Sequence, residues 1–254
     1  MTFLRSGLFT LYLFLFSAVL TLPAAPAFII GENSVRRVTK FWSRGVLGGL
    51  KLICGVSYRV EGSENIPAGG ATVASNHQSM WETIALYALL PRPVMVLKKE
   101  LLRIPIYGWW VKLSGNIVVD RKAGAKAMRG LTRDAAASIA EGKQVVVFPE
   151  GTRIAPGARG EFQPGIAGIY KAAGAPCVPV AHDSGRHWRH PGILKIPGEI
   201  TIRFLPPIEP GMDRKDFLSM LKAQIESARR DLSGDSQARY DGAEPAALGA
   251  ASRS

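Results

Sequence analysis

Short apolar runs alternate with helical stretches between residues 58 and 232, and this alternation restricts the possible folds more than any other feature of the sequence. The apolar runs predict strands at Tyr58–Val60, Ala71–Ser75, Val94–Leu97, Asn116–Val119, Gln144–Phe148, Cys177–Ala181 and Ile200–Leu205. The intervening stretches predict helices at Met80–Leu90, Gly124–Glu141, Gly165–Ala173 and Arg214–Leu232. Such alternation predicts an α/β fold: a single mixed, largely parallel sheet flanked by helices.

The N-terminal region predicts a membrane-associating segment. No charged side chain occurs from Gly7 to Ile30, a stretch of about 24 residues that is long enough to span a bilayer. Arg5 precedes this stretch, and more cations follow it: Arg36, Arg37, Lys40, Arg44 and Lys51. By the positive-inside bias, the rest of the chain is expected in the cytoplasm.

Other interpretations of this region stay open on the sequence alone. Ala25-Pro26-Ala27 resembles the cleavage site of a signal peptide. Pro23 and Pro26 also make a kinked or re-entrant anchor as plausible as a straight span. Residues 41–56 have apolar side chains at helical spacing, which fits either a helix lying flat at the membrane interface or one packed on the domain core.

The chain divides into three predicted parts. Residues 1–54 form the membrane anchor and an interfacial helical segment, and residues 55–232 form the α/β domain. Residues 233–254 are rich in alanine, glycine, serine and aspartate, which predicts a disordered tail. The apolar fraction of 47% is typical of a folded protein and argues against a chain with many membrane spans.

The formal net charge of the chain is +12. A surface with this charge attracts polyanions, which include nucleic acid, anionic lipid, acidic carrier proteins and phosphorylated substrates. Charge alone does not choose among these partners. The 2 cysteines, Cys54 and Cys177, are too few for a disulfide scaffold or a cysteine-rich zinc site, and they favour a reducing compartment.

The segment from Ser75 to Glu82 places a histidine and an acid where a predicted strand ends and a helix begins. His77 can act as a general base near neutral pH, and Glu82 can orient and charge its imidazole. The two residues are about 140° apart on an ideal helix, so they form a pair only if His77 precedes the helix. Alternatively, Ser79 to Glu82 is a capping box and His77 is an ordinary loop residue.

Three further strand ends carry groups suited to anions. Lys98 follows one strand, Arg121 another, and residues 148–153 a third. In the last segment glycine lets the backbone approach a ligand, while Thr152 and Arg153 supply donors for phosphate oxygens. Taken singly, each feature also fits a plain structural role, namely a solvated lysine, an exposed aspartate–arginine turn or a strand-terminating turn.

The remaining histidines do not predict a metal site. His182, His187 and His190 lack a companion carboxylate at a metal-binding spacing, so we predict no metal. The stretch Val178–His182 is expected to pack as the floor of the site.

Taken in order, these segments resemble the phospholipid/glycerol acyltransferase family, most closely its 1-acylglycerol-3-phosphate (lysophosphatidic acid) acyltransferases. The family block N-H-x-x-x-x-D corresponds to Asn76–Glu82, and G-x-x-F-I-D-R corresponds to Gly115–Arg121. F-P-E-G-T-R is intact at Phe148–Arg153, and a proline-containing block is similar to Val178–Val180. The resemblance covers about residues 55–210.

Two positions depart from the family pattern. Glu82 stands where aspartate is usual, which keeps the charge but adds a methylene group. Val118-Val119 replaces the Phe-Ile pair, which favours a reshaped acceptor pocket.

The resemblance implies transfer of a fatty acyl group from acyl-coenzyme A or acyl carrier protein to the sn-2 hydroxyl of 1-acylglycerol 3-phosphate, giving phosphatidic acid. In this reaction His77 removes the hydroxyl proton and Glu82 orients the imidazole. The thioester is a substrate, and no cofactor is implied. The substrate-binding residues implied by the family blocks are Arg121, Glu150, Gly151, Thr152 and Arg153, and Lys98 at another strand end is expected to join them.

The partners implied are membrane lipids, the lysophospholipid acceptor and acyl carrier protein, but not nucleic acid. Because the acceptor and the product are lipids, we expect the protein at the inner (cytoplasmic) membrane with its site facing the cytoplasm.

Three alternative functions remain. The first is an enzyme of the same family with another acceptor, such as lyso-ornithine lipid or glycerol 3-phosphate. The second is a non-enzymatic binder of nucleic acid or anionic membrane, although the sequence lacks a basic helix with interleaved aromatic residues. The third is a secreted hydrolase, although no G-x-S-x-G elbow is present.

Overall fold

The centre of the molecule is a 7-stranded sheet. The computed structural model describes residues 1–104, 107–120 and 124–234. Its strands are β1 (Val56–Glu61), β2 (Ala71–Ser75), β3 (Pro93–Lys98), β4 (Ile117–Val119), β5 (Gln144–Val147), β6 (Cys177–His182) and β7 (Gly198–Phe204). Its helices are α1 (Thr2–Ile30), α2 (Glu32–Cys54), α3 (Trp81–Leu89), α4 (Tyr107–Leu113), α5 (Gly124–Ala140), α6 (Gly165–Ala173) and α7 (Arg214–Ser233).

The strands lie in the order β1-β7-β6-β2-β5-β3-β4. All neighbouring pairs are parallel except β6 and β7, which are antiparallel. This confirms the predicted mixed, largely parallel sheet. Every predicted strand and helix is present with small shifts at its ends, whereas the short helix α4 was not predicted.

Helices cover both faces of the sheet because strand side chains alternate between the two faces. On β5, Val146 packs in a core with α2 and α3, whereas Val145 and Val147 pack in a core with α5, α6 and α7. On the latter face, Tyr170 of α6 and Phe217 of α7 stack with their ring centroids 3.9 Å apart. We call these surfaces the α2/α3 face and the α7 face.

Helices α1 and α2 form a hairpin around Gly31. The rings of Tyr12 and Phe16 lie directly over Gly49 and Gly45, where a Cβ atom would come within 2.1 and 2.4 Å of them. The Tyr12 hydroxyl donates a hydrogen bond to the Gly45 carbonyl oxygen at 2.9 Å. Glycine is therefore required for the close approach of these two helices.

Helix α1 continues through Pro23 and Pro26, so the prolines do not interrupt it as their sequence pattern suggested. Its stretch Thr2–Thr21 has a mean hydropathy of 1.8 and is long and apolar enough to cross a membrane. Large apolar side chains along this helix are exposed, including Phe3, Leu4, Leu8, Leu11, Phe14, Leu15, Val19, Ile29 and Ile30.

For α2, the structure favours packing on the core over lying free at an interface. Val46 and Leu50 are buried in the α2/α3 core. Phe41 and Leu52, on the other side, are exposed, so contact of that side with lipid stays a prediction. The division into parts at residues 54 and 232 also stays a prediction, and most of the predicted tail lies outside the described residues.

Candidate active site

The candidate site lies where three neighbouring parallel strands end. Strands β6, β2 and β5 are adjacent, so their carboxyl ends meet at one edge of the sheet. The segments that follow these strands contain His77, Glu150 and Ser184. This edge is where open α/β sheets place their functional groups.

His77 and Glu82 form a direct pair. His77 lies in the loop after β2, ahead of the first residue of α3, Trp81. This position lets the loop turn the imidazole back towards the helix, and Nδ1 of His77 lies 2.7 Å from Oε1 of Glu82. Because an ionised carboxylate only accepts hydrogen bonds, Nδ1–H donates and the lone pair is on Nε2. This tautomer leaves Nε2 able to accept a proton.

The imidazole of His77 is held in place by an aromatic neighbour. It stacks on the ring of Phe148, with the centroids 4.2 Å apart and the planes tilted by 20°. The side chain of His77 is 16% exposed, so substrate can still reach one side of it.

Glu82 is fully buried and accepts several further hydrogen bonds. The backbone amides of Gln78 and Ser79 donate to Oε1, each at 2.8 Å. The hydroxyls of Ser79 and Ser184 donate to Oε2 at 2.7 and 2.8 Å. Burial alone would raise the pKa of Glu82, but the imidazoles of His182 and His77 and the Ser79 hydroxyl outweigh it and lower that pKa to about 2. The carboxylate is therefore ionised at neutral pH.

This segment forms capping contacts as well as the His77–Glu82 pair, and the catalytic role of that pair stays a prediction. The Ser79 hydroxyl accepts a hydrogen bond from the Trp81 amide at 3.0 Å, and Glu82 accepts one from the Ser79 amide. These are contacts of the kind found in a capping box. The carboxylate of Glu82 thus accepts a hydrogen bond at the start of the helix and also holds the imidazole of His77.

Asn76 and His182 fix the ends of β2 and β6 relative to each other. The side-chain amide of Asn76 exchanges two hydrogen bonds with the backbone of His182, both at 3.0 Å. Nε2–H of His182 in turn donates to the Asn76 carbonyl oxygen at 2.8 Å. Burial lowers the pKa of His182, and the Glu82 carboxylate opposes this effect.

His187 and His190, the remaining histidines for which we predicted no metal, have different surroundings. His187 lies 3.0 Å from the Ile196 carbonyl oxygen, and His190 lies beside Arg153. Among the described residues, no three histidine, cysteine, aspartate or glutamate side chains converge on a point.

Glu150 turns inward beneath residues 76–80, the loop between β2 and α3, which we call the catalytic loop because it carries the predicted base His77. Its Oε2 accepts a hydrogen bond from the His77 amide at 2.7 Å, and its Oε1 lies 3.3 Å from Nη1 of Arg229 on α7. Burial raises the pKa of Glu150 to about 7, although the His77 amide and Arg229 oppose the rise. Glu150 thus shapes the site by holding the backbone of His77, and its contact with the glycerol of a substrate stays a prediction.

The residues after Glu150 wrap over the catalytic loop. Gly151 has a φ of +67°, a left-handed conformation that lets the chain reverse after β5. Nε of Arg153 donates to the Ser79 carbonyl oxygen at 3.1 Å, and the Ile154 amide donates to the His77 carbonyl oxygen at 2.8 Å. The structure therefore brings His77, Glu82, Glu150 and Arg153 together, and it leaves Arg153 and Thr152 exposed.

One predicted substrate-binding cation, Lys98, is not joined to this cluster, and another lies outside the described residues. Lys98 is exposed at the end of β3, which β5 separates from β2 in the sheet. Its neighbour Lys99 pairs with Asp120 at 3.0 Å. Arg121 lies outside the described residues.

Two supporting residues have no recognisable signal in the sequence. Ser184, which donates to Glu82, follows β6 and belongs to none of the recognised blocks. Arg229, which pairs with Glu150, lies on an amphipathic helix where arginine is an ordinary surface residue.

Comparisons with known proteins agree with this arrangement. Residues 57–183 match the family model described as Acyltransferase. A 1-acyl-sn-glycerol-3-phosphate acyltransferase of Pseudomonas aeruginosa is 36% identical over 167 residues, which cover 66% of this chain and 65% of that protein. The mouse 1-acyl-sn-glycerol-3-phosphate acyltransferase alpha is 30% identical over 162 residues, or 62% of this chain and 57% of that protein. The match thus spans somewhat less than two thirds of these relatives.

A solved structure shares the fold. The crystal structure of the 1-acyl-sn-glycerophosphate (LPA) acyltransferase PlsC from Thermotoga maritima aligns with a TM-score of 0.77 and 20% identity. The alignment covers 93% of this chain and 100% of that one. Because the matching family model spans half of the chain, the chain belongs to the Acyltransferase family.

Proposed function

We propose that this protein transfers a fatty acyl group to the sn-2 hydroxyl of 1-acylglycerol 3-phosphate and so makes phosphatidic acid. The observation that carries the proposal is the 2.7 Å pair of His77 and Glu82, with Arg153 hydrogen-bonded to the same loop. The names of the Pseudomonas and mouse relatives support this choice of acceptor. The extra methylene of Glu82, relative to the usual aspartate, does not prevent the pair from forming.

The proposed reaction is a direct acyl transfer. Nε2 of His77 takes the proton of the acceptor hydroxyl while the hydroxyl oxygen attacks the thioester carbonyl carbon. The new ester bond forms, the carbon–sulfur bond breaks, and the leaving thiolate takes the proton from the imidazolium. Glu82 stays ionised and stabilises the imidazolium through Nδ1–H, as the acid of a triad does.

The acceptor is proposed to bind through its phosphate. Arg153 is exposed beside the catalytic loop and offers a guanidinium suited to phosphate oxygens. Arg121 and Lys98 are proposed as further phosphate ligands from neighbouring strand ends. Gly151, Thr152 and Glu150 are proposed to shape the glycerol site.

The acyl donor is proposed to be acyl-coenzyme A or acyl carrier protein, and it serves as a substrate. No cofactor is proposed, and neither is nucleic acid as a partner. The net charge of +12 favours an acidic carrier protein and an anionic lipid surface.

We propose that the protein works at the inner (cytoplasmic) membrane with its site facing the cytoplasm. The exposed apolar side chains of α1 would contact the lipid, and the cations that follow α1 favour the cytoplasmic side. This placement brings the enzyme to a lipid acceptor that does not leave the bilayer readily.

An acceptor panel tests the proposed function. Purified protein in detergent is given palmitoyl-coenzyme A or palmitoyl carrier protein, together with 1-acylglycerol 3-phosphate, glycerol 3-phosphate or lyso-ornithine lipid. Mass spectrometry of the lipid products is expected to show phosphatidic acid as the main product. Faster turnover of another acceptor, or no transfer from either donor, would overturn the proposal.

A further inference from the structure

A cleft rich in arginine lies behind the catalytic loop, on the side away from the His77 ring. It has a volume of about 60 Å³. One wall is α7, and the others are the loop after Arg153 and the segment after β6. Its lining includes Gln78, Asp183, Glu226 and four arginines, which are Arg159, Arg186, Arg229 and Arg230.

The four arginines come from three separate parts of the chain, so the fold alone brings them together. Arg229 forms an ion pair with Glu150 and donates a hydrogen bond to the Ala158 carbonyl oxygen at 3.0 Å. Arg159, Arg186 and Arg230 are exposed around the rim while also making contacts within the protein, among them the contact of Arg186 with the Leu232 carbonyl oxygen at 3.4 Å. Of the acids in the lining, Asp183 accepts a hydrogen bond from the Thr201 amide at 2.9 Å. Guanidinium groups in such a cluster match the oxygens of phosphate groups.

The cleft and the His77 ring lie towards opposite faces of the sheet edge. His77 stacks on Phe148, whose ring packs against the core of the α2/α3 face. The cleft is bounded by α7, which covers the other face. Gln78, the residue after His77, lines the cleft and accepts a hydrogen bond from the Gly185 amide at 3.0 Å.

This geometry suits a reaction with two very different substrates. The exposed apolar helix α1 packs on the α2/α3 side, where Phe9 and Tyr12 join that core. A lipid acceptor that approaches along α1 therefore leaves the α7 side to the water-soluble substrate. Both acyl donors named above have phosphate next to the pantetheine arm that holds the thioester. Resting on the proposed function, we infer that the arginine cleft binds the phosphate groups of the acyl donor.

Donor kinetics test this inference with a charge-matched control. The cleft variant is R186Q/R230Q, and the control is R129Q/R133Q, which removes the same charge from exposed positions on α5. We expect the cleft variant to raise KM for palmitoyl-coenzyme A about tenfold and to leave KM for the lysolipid within twofold. The control should leave both values unchanged, and both proteins should melt near the wild-type temperature.

A binding experiment separates this inference from the proposed function because it needs no turnover. Titration calorimetry with adenosine 3′,5′-bisphosphate, which has two of the three phosphates of coenzyme A and no thioester, should show binding to wild type and its loss in R186Q/R230Q. A similar increase in KM for both donors would assign the cleft to the phosphopantetheine phosphate that they share, and an increase only with palmitoyl-coenzyme A would assign it to the adenosine phosphates. An increase only with the carrier protein would point to the carrier's acidic surface and would overturn the inference. Unchanged KM for both donors, or an increase only for the lysolipid, would overturn the inference.

Discussion

Nη1 of Arg229, on the last helix, lies 3.3 Å from Oε1 of Glu150, whose other oxygen holds the amide of His77 at 2.7 Å. A side chain outside the recognised family blocks thus reaches the backbone of the proposed base through one buried carboxyl group. The conformation of the catalytic loop therefore depends on how α7 docks.

Glu150→Gln should change how the stability of the fold depends on pH. Burial raises the pKa of Glu150 from an ordinary 4.5 to about 7, so the folded protein holds this proton more tightly than the unfolded chain. The protonated carboxyl of Glu150 stabilises the fold fully below about pH 4.5, and this stabilisation is lost as the pH rises through about 7. The total loss in the free energy of unfolding is about 3 kcal/mol. Chemical denaturation at several pH values should show a shallower loss for the variant than for wild type.

The control for this experiment is Glu161→Gln, because Glu161 is exposed in the same loop region. It should follow the wild-type pH dependence. If Glu150→Gln also followed it, the elevated pKa would be refuted.

His77→Ala should reduce kcat by about a hundredfold to ten-thousandfold, the usual range for loss of a general base. The fold should persist because the imidazole is partly exposed and fills no large space in the core. Initial rates of acyl transfer and circular dichroism check both expectations. His187→Gln is the control, since the His187 ring lies 3.0 Å from the Ile196 carbonyl oxygen. Residual activity within tenfold of wild type would argue strongly against His77 as the base.

Glu82→Gln should both lower kcat by at least a hundredfold and destabilise the protein by about 1–3 kcal/mol. The carboxylate accepts hydrogen bonds on both oxygens, so the NH₂ group of glutamine would face hydroxyl or amide donors. Glu82→Asp keeps the charge and restores the usual family residue, so it should retain measurable turnover. Thermal melting and initial rates distinguish the two variants, and equal activity of Glu82→Gln and wild type would contradict the role of the charge.

Arg153→Ala should raise KM for 1-acylglycerol 3-phosphate about tenfold with a smaller change in kcat. The reason is the loss of one charge-assisted contact to phosphate. Within the protein Arg153 contacts the Ser79 carbonyl oxygen and the ring of His190. Acceptor titrations at saturating donor measure this change. Arg133→Gln, an exposed arginine on α5, serves as the control. An acceptor KM that does not move would place the phosphate site elsewhere.

Gly49→Ala should weaken the α1–α2 hairpin. A Cβ atom at Gly49 would lie 2.1 Å from the Tyr12 ring, which is fixed by its hydrogen bond to Gly45 and by stacking on Phe16. We expect a loss of about 1–3 kcal/mol in stability, seen as a lower melting temperature in detergent. Gly48→Ala is the matched control because nothing lies within 4 Å of its new Cβ atom, and alanine favours helix. Equal melting of both variants would show that the hairpin tolerates a wider helix spacing.

The sequence alone determined the architecture and the chemical groups of the site. Alternating strand and helix periods are local properties, so the α/β fold and every strand could be read from them. The position of His77 before a helix that has Glu82 in its first turn is also local, and the pair forms as its motif predicted. The prolines of α1 were less informative, since the helix continues through them.

The tertiary structure alone decided what supports and surrounds those groups. Ser184 reaches Glu82 across 102 positions of sequence, and Arg229 reaches Glu150 across 79. Glu150 turns inward although later residues of the same elbow are exposed, and four arginines gather beside α7. Both features follow from how the strands and helices pack. Such contacts join residues far apart in the chain, and no local period or spacing encodes which side chains will meet.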